Sequence, residues 1–296
     1  MLIKGSITAL VTPMLSNGDL DYSSLESLIN LQIDSGISGL VAVGTTGESA
    51  TVDFDDHIKL IEFFVKIANK RIPIIAGTGA NSTDEALHLT QAAAEVGADA
   101  ALLVSPYYNK PPQEGIYRHH MKIADEVNIP QILYNVPSRT ASFIEPQTIS
   151  RLSNHDNILG VKDATGDMKN FDEVYNLCEK KIKAKEFFLY SGDDFSSLEF
   201  LKRGGHGTIS VTSNVVPKIV SEICQLIEKD FNKAKELDNS LQSLNKNLFS
   251  DSNPIPVKWA LKLLGSIDTG IRLPLIELSD SNKKVLEKSL KDLNLI

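Results

Sequence analysis

The residues best suited to chemistry in this chain are few and sit where short apolar runs stop. Lys162 ends the run Ile158-Leu159-Gly160-Val161 and precedes Asp163-Ala164-Thr165-Gly166, a turn-forming sequence. An exposed lysine has a pKa of about 10.4, so fewer than about one in a thousand is neutral at pH 7. Desolvation at a strand end lowers that value by up to several units, and a neutral amine can attack a ketone to form a Schiff base. The same residue is also compatible with a structural ion pair to Asp163. Tyr134, at the end of Gln131-Ile132-Leu133, is either a core aromatic or a phenol that relays protons. Thr45 and Thr46 lie between Gly44 and Gly47. The glycines permit a tight turn with exposed N–H groups and the hydroxyls add donors, which suits a carboxylate, although a plain turn uses the same residues. Arg139, after Pro137-Ser138, is either a fork for a second carboxylate or half of a weak surface pair. Tyr107-Tyr108, in a proline-flanked loop, reads as contact surface at the mouth or at an interface.

Such residues need a scaffold that gathers strand ends. Eight short apolar runs alternate with amphipathic stretches: 7–11, 39–43, 72–76, 100–104, 131–134, 159–162, 187–190 and 207–211. Runs with little alternation fit parallel strands buried on both faces. Between them Leu25, Leu28, Ile29 and Ile33 share a helical face, as do Ile58, Ile61, Phe64, Val65 and Ala68, and Ala86, Leu89, Ala93 and Val96. Ser82 and Pro112 precede helix starts, and Gly36 and Gly97 follow helix ends. The expected fold is a (β/α)8 TIM barrel over 1–228 with a C-terminal helical domain over 229–296, and the site lies at the C-terminal ends of the strands. An open doubly wound sheet would carry a glycine-rich turn after the first strand, where this chain has Thr12-Pro13-Met14-Leu15-Ser16. Gly204-Gly205-His206-Gly207 has the look of a phosphate loop but precedes the eighth strand, at the wrong end.

The chain has 296 residues, 42% of them hydrophobic, and a net charge of -8, which argues against nucleic-acid and anionic-membrane partners. Neither a signal peptide nor an apolar stretch near the roughly 20 residues of a membrane helix is visible, so a cytoplasmic protein is expected. Cys178 and Cys224 fall in helical patterns without a CxxC, as core thiols do in a reducing compartment. The chain lacks HExxH, GxSxG and Cys/His metal spacing, and its six histidines form no ligand set, so neither a metal nor a cofactor is expected.

Taken together, the segments 44–50, 105–109, 134–140, 162–166, 204–211 and 253–259 make the chain resemble the dihydrodipicolinate synthase family, within the pyruvate-dependent class I aldolases. The resemblance covers almost the whole chain, and Tyr134-Asn135-Val136-Pro137-Ser138-Arg139-Thr140 is its most specific mark. It implies that Lys162 condenses with pyruvate and that the enamine attacks L-aspartate 4-semialdehyde. It implies a proton relay of Tyr134, Thr45 and Tyr108, with Tyr108 reaching in from a neighbouring subunit. Thr46 would hold the pyruvate carboxylate and Arg139 that of the semialdehyde. The Ile209 carbonyl would lie near the lysine, and Gly192 would line the pocket. It further implies a homotetramer built as a dimer of dimers, and a lysine-effector cleft at Ser49, Ala50, His57, Asn81, Glu85 and Tyr107. Phe54 departs from that cleft's pattern, where a histidine is common, and Ala141 stands where a glycine is usual. Two rival readings are another pyruvate-dependent aldolase, cleaving a sugar acid or hydroxy-oxo acid, and a non-catalytic barrel that binds an oxo acid without a covalent adduct.

Overall fold

The computed structural model describes residues 3–296. Among these, eight parallel strands close into a barrel in sequence order. They are β1 (Gly5–Ala9), β2 (Gly39–Ala42), β3 (Ile74–Gly77), β4 (Ala100–Val104), β5 (Gln131–Asn135), β6 (Ile158–Asp163), β7 (Phe188–Ser191) and β8 (Gly207–Ser210). The ring shuts where Gly5, Ser6, Ile7 and Thr8 pair with Gly207, Thr208, Ile209 and Ser210. Helices follow the strands: α1 (Tyr22–Asp34), α2 (Phe54–Ala68), α3 (Thr83–Glu95), α4 (Gln113–Glu126), α5 (Pro137–Thr140), α6 (Pro146–Leu152), α7 (Met168–Lys183), α8 (Ser197–Lys202) and α9 (Pro217–Leu226). Three more complete the chain: α10 (Phe231–Asn247), α11 (Ile255–Leu263) and α12 (Asp280–Asp292).

The apolar runs form strands because both of their faces are covered. Inside the barrel Ile7, Val41, Ile75, Leu102, Ile132 and Ile209 pack with Tyr134, Phe188 and Tyr190. The helix starts follow capping chemistry. Asp21, Asp53, Ser82 and Asp167 each accept a backbone N–H from the first turn of α1, α2, α3 and α7. Gly36 and Gly97 take φ of +78° and +91° just past α1 and α3, which side chains rarely tolerate.

Only β4 has the bounds that the sequence predicts, and β1 and β3 are displaced furthest. β1 begins at Gly5 and stops at Ala9, because the Val11 N–H leaves the ladder to donate to Asn214 Oδ1 at 3.1 Å. β3 starts at Ile74, after Pro73, which has no N–H to give. The turn between α9 and α10 coincides with the 228/229 division, yet one apolar cluster runs across it. Leu28, Ile61 and Phe64 of α1 and α2 share it with Leu241, Leu244, Val257, Leu261 and Leu286. The C-terminal helices are thereby fastened beside the loops that follow β1 and β2. No helix is long and apolar enough to cross a membrane among the described residues.

Candidate active site

Lys162 lies on β6 in register with Tyr134 of β5 on one side and Tyr190 of β7 on the other. It is 6% exposed, and its Nζ sits 4.2 Å from the centre of the Tyr134 ring. Asp163, the neighbour that would make Lys162 a structural ion pair, faces elsewhere. Its Oδ1 accepts from the Thr165 N–H at 2.9 Å and its Oδ2 from Asn170 Nδ2 at 2.7 Å. Burial lowers the Lys162 amine to about 7, against the pull of the Asp194 carboxylate and with help from the Arg139 guanidinium. Near neutral pH a large fraction of the amine is therefore unprotonated and nucleophilic.

Gly192 explains how a lysine fits there. A Cβ at this position would come within 2.8 Å of Lys162 Cε and of Ala164 Cβ. The Gly192→Ala variant must therefore shift the amine. A displacement approaching 1 Å costs roughly 100-fold in a reacting geometry. We expect the rate of borohydride-trapped pyruvate adduct in G192A to fall roughly 10-fold or more, read by intact mass against time.

Tyr134 is 7% exposed. Burial raises its phenol, while the Arg139 charge and a hydrogen bond with the Thr45 side chain lower it. It stays a protonated donor at neutral pH, in contact with the amine on one side and a threonine hydroxyl on the other. Thr45–Gly47 form a single 3-10 turn between Val43 and Glu48, both left-handed at φ of 50° and 60°. Thr46 is buried, and its Oγ1 accepts from Asn253 Nδ2 at 2.9 Å, leaving its own proton to donate. Ile209 is buried on β8 within the same inner cluster as Tyr134.

Arg139, on the one-turn α5, is exposed at the rim. With Thr45 it walls a cavity of about 440 Å³. Ser49, Ala50, His57, Glu85 and Tyr107 line the same cavity, as does Phe54. Asn81 is not among its walls; its carbonyl accepts from Asn109 Nδ2 at 2.9 Å. His57 is buried and neutral, its Nε2 2.7 Å from the Gly77 carbonyl, and burial lowers its pKa. Lys162 and Tyr134 do not line the cavity, and Tyr134 meets it through Thr45. Tyr108 stands apart within the single chain: it is 87% exposed, with φ of 74°.

Two features escaped the sequence reading. Asp194 is buried, and its Oδ2 accepts the N–H groups of Val211 and Thr212 at 2.8 and 3.0 Å. Glu48 makes a buried ion pair with Lys258, far away in sequence. The charged types alone offered a signal, since apolar surroundings rarely hold an unpaired Glu or Lys.

The description "Dihydrodipicolinate synthetase family" fits residues 2–293 of this sequence. The chain belongs to that family. It is 51% identical over 296 residues to the 4-hydroxy-tetrahydrodipicolinate synthase of Thermodesulfovibrio yellowstonii, covering 100% of both chains. It is 50% identical to that of Ruthia magnifica, over 99% of this chain and 98% of the relative. Among solved structures, the chloride-inhibited dihydrodipicolinate synthase of Acinetobacter baumannii, complexed with pyruvate, superposes with a TM-score of 0.96 at 50% identity. That match covers 99% of this chain and 100% of the other.

Proposed function

We propose that the chain condenses pyruvate with L-aspartate 4-semialdehyde to give 4-hydroxy-tetrahydrodipicolinate, the committed step of diaminopimelate and lysine biosynthesis. The observation that carries the reading is a buried amine, lowered to about 7, against the ring of a phenol on the adjacent strand. The neutral Lys162 Nζ attacks C2 of pyruvate, and the carbinolamine loses water to give an iminium. The iminium is an electron sink, so C3 gives up a proton and becomes an enamine carbon. That carbon attacks the aldehyde of the semialdehyde, whose oxygen takes a proton to become the 4-hydroxyl. The semialdehyde's amino group then attacks the imine carbon and expels Lys162, closing the ring. One water leaves overall and the lysine is regenerated.

In this scheme Tyr134 carries protons to and from the carbinolamine and Thr45 passes them on. Thr46, with the backbone of its turn, holds the pyruvate carboxylate. Arg139 takes the semialdehyde carboxylate at the rim, Gly192 leaves room beside the amine, and the Ile209 carbonyl lies near it. Tyr108 completes the relay of a neighbouring subunit within a homotetramer, a dimer of dimers, in the cytoplasm. Its exposure on its own chain supports that placement. Residues 1–228 form the catalytic unit and 229–296 its helical appendage. The wall of Ser49, Ala50, His57, Glu85 and Tyr107, with Asn81 behind it, forms an amino-acid effector cleft. There Glu85 faces the effector's cationic end and Phe54 offers only an apolar surface.

Borohydride reduction in the presence of pyruvate, followed by intact-mass measurement and peptide mapping, tests the reading. A single adduct on Lys162 is expected, and a protein that stays unmodified refutes it. In Arg139→Ala the adduct should form as before. The KM for semialdehyde should rise roughly 10- to 100-fold, the worth of a charge-assisted pair. Unchanged semialdehyde kinetics in R139A would remove that residue from the site.

A further inference from the structure

The turn carrying Thr45 and Thr46 closes on its own backbone, with the Gly47 N–H donating to the Gly44 carbonyl at 3.0 Å, and is also tied from outside. Its last residue, Gly47, gives its carbonyl to the Thr12 hydroxyl at 2.8 Å, from the loop after β1. Its C-cap, Glu48, is left-handed, and both of that residue's carboxylate oxygens are committed. Oε1 pairs with Lys258 Nζ, and Oε2 accepts the Arg272 N–H at 3.1 Å. Lys258 Nζ also donates to the Thr12 carbonyl at 3.0 Å. Thr12, the turn and Lys258 thus form a closed circuit. The side chains of Glu48 and Lys258 are 0% and 5% exposed. Asn253, one turn of chain before Lys258, holds Thr46 Oγ1. Arg272 also donates to the carbonyls of Gly18 and Thr51 at 3.0 Å each, although other C-terminal ties land elsewhere, as Asn245 Nδ2 does on the Asp194 carbonyl.

A buried ion pair is a poor source of stability, because apolar side chains of the same volume serve as well or better. What it supplies is a fixed geometry, with both Glu48 carboxylate oxygens and the Lys258 ammonium held by named partners. We infer that the Glu48–Lys258 pair, clamped to Thr12 and Arg272, is a positioning device that sets the Thr45–Thr46 turn for pyruvate. Both side chains are buried, so both act through the turn. This inference rests on the condensation reading and on Thr46 as the carboxylate holder. It has a specific kinetic signature, because Arg139 sits on a different element, α5, and is not tied to this circuit. Loosening the turn should weaken pyruvate and spare the semialdehyde.

The test is the double variant Glu48→Gln/Lys258→Met, which removes both charges and keeps the volumes. It is read beside Thr12→Val, which removes only the hydroxyl bond to Gly47 and leaves the ion pair whole. Both are assayed as full chains with each substrate varied in turn. The pyruvate KM should rise roughly 10- to 100-fold in the double variant and less in T12V. The semialdehyde KM should stay within about twofold of wild type in both, since Arg139 stays in place. Wild-type pyruvate KM in the two variants overturns the inference, and so does an equal rise for both substrates. Should the double variant fail to unfold cooperatively, T12V alone decides on the same criterion. Pyruvate trapping by the wild type, run alongside, keeps the two readings separate. Its absence refutes the condensation, whereas trapping with unchanged variants refutes only the positioning role.

Discussion

Lys162→Met should abolish the pyruvate adduct and lower turnover by roughly 10^4- to 10^6-fold, the scale of removing a covalent nucleophile. The same substitution should make the protein harder to unfold. Holding an amine at about 7 rather than 10.5 means that the folded state disfavours its protonated form. That cost is on the order of a few kcal/mol. Methionine fills a similar volume with no charge, so the unfolding midpoint should rise by a few degrees. The sign with pH follows from the depressed value. Between about pH 7 and 10.5 the unfolded chain binds a proton at this site that the folded chain does not, so wild-type stability rises across that window. The advantage of the variant should therefore be greatest below pH 7 and fade toward pH 10.5. Thermal melts of both proteins across that range check it; an advantage that grows with pH would contradict the lowered amine. Adduct formation by the wild type should climb with pH and level off above about 7, as the amine becomes fully neutral.

Tyr134→Phe should lower turnover by roughly 10^2- to 10^4-fold, the usual worth of a positioned proton carrier. The ring beside Lys162 Nζ is kept and only the hydroxyl is lost, so burial of the amine and the fold should hardly change. Imine formation should slow, because the carbinolamine must then lose water without a donor at hand. Single-turnover trapping separates the two: a variant that forms adduct at the wild-type rate would confine the tyrosine to packing.

The barrel was legible because uninterrupted apolar runs such as Ala100–Val104 belong to strands covered on both faces, and these alternate with capped amphipathic helices. Lys162 was legible for a related reason, as a cation closing a run that is otherwise fit only for the interior. The strand ends blurred by one or two residues where a tertiary partner took over, as Asn214 does at Val11. Asp194 could not be told from Asp193 in sequence. Which of two adjacent carboxylates turns inward depends on the Val211 and Thr212 N–H groups, which reach it only after folding. The partner of Glu48 lies 210 residues away, beyond any periodicity or local pattern. The exposure of Tyr108, by contrast, agrees with the reading of a proline-flanked Tyr-Tyr as contact surface.

The distance between Glu48 and Lys258 also bears on the order in which the molecule is made. All eight strands precede Lys258 in the chain, so every one of them is synthesised while the Glu48 carboxylate still lacks its cation. A fragment released at that stage would own the nucleophile but not the seat for its first reactant. Catalytic competence would then arrive with about the last eighth of translation, and prematurely terminated copies would be idle rather than rogue consumers of pyruvate.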